Sequence, residues 1–325
     1  MGLLDILFGS RREEAAQEPV FLKETSDAEE QLDYLKKLAE RADEDTASKI
    51  EDEIKILDAG LYGEGQIVFE LKNSHIPMFV LRDIYLRSGE YAAQIDFLII
   101  TAGHVFVVEC KNLIGDIEID SRGNFTRTMR FGKFFRKEGI YSPITQNKRH
   151  MEVIKAVAGQ GLSGVELGRY KKYFYDVYRP VIVLANPKTV LTDRYAKKEI
   201  KDQVVRGDRL IAYIEEVDAA SEKVFSYEEM RGLAEFFLKS AQKNPAGFDD
   251  KYKELSAAEE EKDQPSETPA AADPVNLLCP KCGARMVKRV ASKGARAGKA
   301  FYGCSAFPKC RFIINIGDEE EDTDK

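Results

Sequence analysis

Residues 91–111, YAAQIDFLIITAGHVFVVECK, decide the fold. They read as two apolar strands joined by a tight turn at Ala102-Gly103. The first strand carries one acid, Asp96, and the second ends in Glu109-Cys110-Lys111. A carboxylate in an apolar run is costly unless it is paired, hydrogen-bonded or holding a metal. Glu109 and Lys111 are two residues apart, so in a strand their side chains leave the same face. Two acids and a lysine converging on a buried hairpin point to a Mg²⁺-dependent phosphodiesterase centre. Mg²⁺ takes oxygen ligands, with one or two carboxylates among them. Such an ion activates water and neutralises charge on a phosphate, and a neighbouring lysine stabilises the charge that develops.

Working outward, residues 27–58 carry Leu32, Leu35, Leu38, Ala42, Ala47, Ile50, Ile54 and Leu57 at three- and four-residue steps among charges. They read as one or two helices, with a break near Asp43-Glu44-Asp45, that pack on the core or serve self-association. Gly60–Gly65 are expected to open a further helix over about 61–73; no Gly-Lys-Ser/Thr follows, which argues against a phosphate loop. Strands are expected at 78–87, 113–119, 178–185 and 210–214, and helices at 143–158 and 226–241. Residues 159–175, with four glycines, are expected to be loop and turn. The order α-β-β-β-α-β across 61–185 implies an α/β fold, a mixed sheet flanked by helices. Between the acids and the helix at 143 lies a run of cations and rings that includes Arg127, Arg130, Lys133, Phe135 and Arg136. Such interleaving suits phosphate contact and base stacking, and equally suits a twisted hairpin with one buried face.

The net charge of −7 conceals a strong asymmetry. Residues 1–58 hold 8 basic and 17 acidic residues, whereas residues 279–317 hold 9 basic and none acidic. A basic module set between acidic segments fits a nucleic-acid partner better than the mean charge suggests. The expected organisation is an acidic helical region at 1–58, a core domain at 59–242, a flexible Glu/Ala/Pro-rich linker at 243–278, a basic module at 279–317 and an acidic tail at 318–325. No apolar run approaches the roughly 18–20 residues that span a bilayer, so no membrane partner is expected. Four of the five cysteines sit at metal-ligand spacing, which places the chain in a reducing cytoplasm. Cys110 reads as a buried strand residue, and His75, His104 and His150 as structural.

Several separated motifs agree in 60–158: Gly60-x-x-Gly63-Glu64, Gln94-Ile95-Asp96, Gly103-x-Val105-Phe106-Val107-Val108-Glu109-Cys110-Lys111-Asn112, Gly115 and Pro143-x-x-Gln146. This stretch resembles the nuclease-related domain (NERD) of the PD-(D/E)xK superfamily. The resemblance implies a restriction-endonuclease-like core and metal-dependent DNA cleavage. Asp96 and Glu109 would then hold Mg²⁺ or Mn²⁺, the Cys110 carbonyl adding a ligand. Lys111 would be the catalytic lysine, Glu64 would assist the metal, and Gln94 and Gln146 would line the site. Ile95 stands where the superfamily name has proline. The alternative is a non-catalytic DNA-binding or scaffold protein that keeps the fold, with the acids and lysine as a structural ion-pair cluster. An adaptor built on residues 27–58 and the basic module is a third reading.

Cys279-Pro280-Lys281-Cys282 and Cys304-x5-Cys310 supply four thiolates, a set suited to tetrahedral Zn²⁺. So short a module has too little core to fold without the metal. Cys-Pro-Lys-Cys-Gly283, Met286-Val287-Lys288-Arg289, Gly298-Lys299-x-Phe301-Tyr302-Gly303-Cys304-Ser305 and Phe307-Pro308-Lys309-Cys310 resemble the zinc ribbons of bacterial type IA DNA topoisomerases. That resemblance implies a DNA-binding accessory for single strands. Arg285, Lys288, Arg289, Arg296 and Lys299 would meet phosphates, and Phe301, Tyr302 or Phe307 would stack on bases.

Overall fold

The computed structural model describes residues 18–245 except 223, and, within 279–315, all but 283, 285 and 291–299. Most of the expected linker, the acidic tail, Arg285, Arg296 and Lys299 therefore lie outside the described residues, as does the side chain of Lys288.

The first unit runs β1 (Val20–Lys23), α1 (Asp27–Ala39), α2 (Glu44–Lys72), β2 (Phe79–Ser88), β3 (Tyr91–Ile100) and β4 (Val105–Lys111). There follow β5 (Asp116–Ile119), β6 (Phe125–Phe131), β7 (Phe134–Ile140), α3 (Pro143–Ala158), α4 (Gly164–Val177), β8 (Tyr178–Leu184) and β9 (Leu191–Thr192). The unit closes with α5 (Lys198–Lys201), β10 (Val204–Arg206), α6 (Leu210–Ala219) and α7 (Tyr227–Ser240).

Six strands form the main sheet in the order β1-β2-β3-β4-β8-β10. The β2-β3-β4 meander is antiparallel, whereas β1, β8 and β10 join in parallel, so the sheet is mixed. Strands buried on both faces read as near-continuous apolar runs, as β4 and β8 do. On one face Leu98, Val105 and Val107 meet Ile154 of α3 and Phe237 of α7. On the other, Phe97, Phe106 and Val108 meet Ile67 and Leu71 of α2 and Leu210 and Ile214 of α6. A smaller sheet, β7-β6-β5-β9, packs Ile117, Ile119 and Phe125 against Ile182 and Leu184 of β8. The turn at Ala102-Gly103 lies against α6, where a Cβ on Gly103 would meet Asp218 Oδ1 at 2.6 Å.

The N-terminal helices form a hairpin. Asp43 caps α2 by accepting from the Thr46 N–H at 3.1 Å. Leu35, Leu38 and Ile50 close a small core between α1 and α2. The leucine stripe expected to pack on the core or to self-associate is thus buried within one chain.

Three expectations are corrected. No helix starts at Gly60–Gly65; α2 runs through them without a break. Gly63 is there for close approach, since a Cβ would come within 2.6 Å of Asn112 Cβ. Residues 164–177 are helical, not loop: Tyr170, Phe174 and Val177 recur at helical spacing and pack on the core. Residues 210–214 open helix α6 and are not a strand, with Leu210 and Ile214 buried one turn apart.

The ribbon is a second unit: β11 (Met286–Val290), β12 (Ala300–Cys304) and β13 (Ile313–Asn315) in an antiparallel sheet.

Candidate active site and cysteine cluster

The acids sit where two strands part. Pairing of β3 with β4 ends at Phe97↔Val108, one step before Asp96 and Glu109 would face each other. Beyond that point the Cys110 N–H donates to Asp96 Oδ2 at 2.7 Å. The side chain thus replaces the missing backbone partner, and the parting leaves room for a ligand. The neighbouring strand is also irregular here: Asp83, in register opposite Asp96, has φ of 54°, and the β2–β3 pairing skips it. Core-facing positions change parity there, from Leu81 to Ile84 on β2 and from Ile95 to Leu98 on β3.

Glu109 is 1% exposed. Its Oε1 is 2.5 Å from Lys111 Nζ, so acid and lysine do share one face of β4. Its Oε2 lies 3.2 Å from His150 Nδ1. The two atoms are not aligned for a hydrogen bond, and each is buried with no hydrogen-bond partner. α3 is held in place by Asn147, whose Nδ2 donates to Val107 O at 2.9 Å and Val181 O at 3.2 Å. Gln146 precedes His150 by one turn on the same helix and is half-buried.

Glu64 reaches the region from α2, held by the buried Arg82, whose Nε donates to Glu64 Oε2 at 2.9 Å. Arg82 Nη1 also donates to Glu29 Oε1 of α1 at 2.8 Å and to Glu24 O at 3.1 Å. Gln94 turns elsewhere: its Nε2 donates to Asp83 Oδ1, and its Oε1 accepts from Asn244. Asp83 Oδ2 in turn accepts from Ser26 Oγ and the Asp27 N–H. Gln94 is therefore tied through Asp83 into the joint between β2 and α1.

The electrostatics are those of an acid cluster short of positive charge. Burial pushes the Asp96 carboxyl well above its ordinary range, and the neighbouring Glu109 adds to the shift. Burial also raises Glu109 against the pull of Lys111, and raises Glu64 against that of Arg82. His150 is lowered to about 4, by burial and by the charge of Lys111, so its imidazole is neutral near pH 7. Burial holds the Cys110 thiol well above its ordinary value, which removes it as a nucleophile. The donors suit a hard divalent cation by their chemistry, since Glu109 Oε2 is a buried oxygen without a partner and Asp96 lies at the same parting of strands, but Asp96, Glu109 and His150 do not bring three ligand atoms within 4.8 Å of one another. A cation there would release the protons that burial favours.

The structure also brings His150, read from the sequence as structural, to 3.2 Å from Glu109, and places Arg82 and Asp83, which the sequence does not single out, beside Glu64 and Gln94. His150 stands four residues after Gln146, a spacing that puts both on one helix face and was the available signal. The sequence carried no comparable signal for the other two, whose partners are distant in the chain.

In the β6–β7 hairpin, three of the four cations expected at phosphates are already paired. Arg127 and Arg136 both bind Glu138, and Arg130 Nε is 3.6 Å from Asp116 Oδ2. Lys133 at the turn is exposed, as is the Phe135 ring. The Arg130 and Arg136 side chains are 74% and 71% exposed, where pairs are worth about 0–1 kcal/mol, whereas Arg127 and Glu138 are only 25% and 23% exposed.

In the ribbon, Cys279, Cys282, Cys304 and Cys310 bring their sulfurs within 4.8 Å of one another. Among the described residues this is the one set of three or more His, Cys, Asp or Glu so close. The Cys279–Cys310 sulfurs are 3.7 Å apart and the Cys282–Cys304 sulfurs 3.3 Å, and none forms a disulfide. Tetrahedral bonds of about 2.3 Å place sulfurs about 3.8 Å apart, so the cluster fits Zn²⁺. Beside it lies a recess of about 300 Å³ lined by Arg289, Phe301, Phe307 and Arg311. Gly303 floors it: a Cβ there would come within 3.4 Å of the Phe301 ring.

A mixed sheet whose strands part around buried acids, together with a four-cysteine ribbon, defines a two-part protein: a nuclease-like domain and a zinc module. Residues 59–185 match the family model of the nuclease-related domain (NERD), and residues 277–319 match that of the topoisomerase DNA-binding C4 zinc finger. It is similar to DNA topoisomerase 1 of Vibrio cholerae serotype O1, with 36% identity over 73 residues. That similarity covers 22% of this chain and only 8% of the topoisomerase. No solved structure matches the chain. Among the described residues, no helix is long and apolar enough to cross a membrane.

Proposed function

We propose that this protein is a divalent-metal-dependent nuclease that hydrolyses DNA phosphodiester bonds, tethered to DNA by its zinc ribbon. The observation that carries the reading is Glu109: buried, with one oxygen on Lys111 and the other unpartnered. Asp96 and Glu109 would hold Mg²⁺ or Mn²⁺, with the Cys110 carbonyl as a further oxygen. Bound there, the ion supplies Lewis-acid activation of water and charge neutralisation at phosphate. Lys111, whose side chain is partly exposed and whose ammonium lies on Glu109 Oε1, would hold a phosphate oxygen as negative charge builds. Glu64, fixed by Arg82, adds negative potential from the second face, and Gln146 orients the substrate or its water.

The ribbon recess supports a DNA role. Phe301 and Phe307 offer faces for unstacked bases, and Arg289 and Arg311 lie beside them for phosphates, an arrangement that favours single strands. Lys288, Arg296, Lys299 and Tyr302 would supply further DNA contacts. Residues 59–242 would act as the catalytic domain and 243–278 as a linker that raises the local concentration of DNA at the site. Thiols used as metal ligands suit the cytoplasm.

The test is cleavage of single-stranded, duplex and branched DNA with Mg²⁺ or Mn²⁺ by the full chain, Glu109→Ala and Lys111→Ala. Loss of about 10²–10³-fold in Lys111→Ala is expected for one lost transition-state contact. Undiminished activity in both variants would remove the assigned centre.

A further inference from the structure

Two buried atoms without hydrogen-bond partners face each other across 3.2 Å: Glu109 Oε2 and His150 Nδ1. Leaving either unsatisfied costs on the order of 1–3 kcal/mol, and a fold that leaves both adjacent has a use for them. A misplaced hydrogen bond is a poor explanation. The same protein aligns another buried imidazole correctly, with His104 Nδ1 bonded to Asp218 Oδ1 at 2.9 Å. Nor is His150 loosely placed. It is 8% exposed, and Asn147, three residues before it, ties α3 to carbonyls of both β4 and β8. Glu109 Oε1 is taken by Lys111, so Oε2 is the oxygen left for another partner.

A nitrogen and an oxygen that approach without bonding to each other are well placed to share a third atom. Adjacent ligands of an octahedral cation with bonds of about 2.1 Å stand about 3 Å apart. The observed separation matches that edge. We infer that His150 Nδ1 is a protein ligand, together with Glu109, of the divalent cation of the nuclease centre, which becomes a mixed nitrogen–oxygen site. This rests on the proposed nuclease reading and deepens it. Carboxylate and water sites suit Mg²⁺, whereas an imidazole ligand shifts preference towards first-row transition ions. An imidazole ligand therefore raises the affinity for first-row ions, Mn²⁺ among them, relative to Mg²⁺.

The experiment is pulsed electron paramagnetic resonance on the full chain, its ribbon saturated with Zn²⁺, carrying substoichiometric Mn²⁺. A directly bound imidazole gives a ¹⁴N coupling in the wild-type spectrum, which needs no variant and no turnover. The coupling is expected in wild type and absent from His150→Gln, which should bind Mn²⁺ at least about tenfold more weakly and show a lower affinity for Mn²⁺ relative to Mg²⁺. Mn²⁺ bound without ¹⁴N coupling would overturn the His150 assignment while leaving the acid-held centre intact. A coupling that persists in a folded His150→Gln would also overturn it, because another nitrogen would be the ligand. Failure to bind Mn²⁺ or Mg²⁺ at all would overturn both this inference and the nuclease reading.

Discussion

Arg82 is the buried cation that holds Glu64, and replacing it with Met gives a worked prediction. The side chain is 7% exposed and bonds Glu64, Glu29 and the carbonyl of Glu24. The Glu29 carboxylate is 51% exposed, so its loss costs under about 1 kcal/mol. The Glu64 carboxylate is 18% exposed, and stranding a buried charge costs about 3–5 kcal/mol. Glu64 can escape part of that penalty by taking up a proton, because burial already raises its pKa. Arg82→Met should therefore lose about 3 kcal/mol near neutral pH. The deficit should shrink as pH falls towards the ordinary carboxylate range, where Glu64 is neutral in both folded and unfolded chains. Glu64→Gln in the Arg82→Met background should recover much of the loss, a coupling on the order of 2 kcal/mol. The chain has no tryptophan, so urea unfolding is followed by far-ultraviolet circular dichroism. A loss in Arg82→Met no larger than that of Glu29→Gln, and flat with pH, would refute the reasoning.

Four further outcomes follow from the geometry. Asp96→Asn should stabilise the metal-free protein by about 1 kcal/mol while abolishing divalent-ion binding. The sign follows from the raised Asp96 pKa: its protonated form favours the fold at low pH, and that contribution is lost as pH rises through the folded value, a slope the variant lacks. Gly63→Ala should cost about 1–3 kcal/mol by overpacking against Asn112. Gly60→Ala and Gly65→Ala, which meet nothing within 4 Å, should gain about 0.5–1 kcal/mol in thermal unfolding. Chelation of Zn²⁺ should unfold the ribbon and lower DNA affinity, read by circular dichroism and fluorescence anisotropy.

The parts legible in the sequence are those governed by local pattern. The run from Tyr91 to Lys111 is apolar enough to be strand and little else, and the two-residue step from Glu109 to Lys111 fixes their common face. Pro143 and the apolar spacing behind it mark α3, which Ser142 caps. The four cysteines announce their own cluster. Short apolar runs were the failures: Leu210–Ile214 is as compatible with a buried strand as with a buried helix face. Glycines misled twice. Gly60, Gly63 and Gly65 suggested a helix start, whereas Gly63 serves contact with Asn112 inside a long helix. Gly164 and Gly168 suggested a loop, but the aromatic spacing of Tyr170 and Phe174 was the better guide. Within the site, Asp96, Glu109 and Lys111 were visible because their neighbours in sequence are their neighbours in the sheet. Arg82 and His150 were not, because their partners are supplied by α1, α2 and β4 after the chain has folded.

The central claim, that the parted strands hold a working centre, is tested most directly by measuring DNA binding and DNA cleavage on the same preparations of wild type and Asp96→Asn. With Mn²⁺ or Mg²⁺ present, wild type should cleave, and Asp96→Asn should bind DNA through the ribbon with similar affinity yet cleave about 10²-fold more slowly or worse. Cleavage by Asp96→Asn at the wild-type rate, or wild-type protein that binds DNA and cleaves none of it with either ion, would contradict the account.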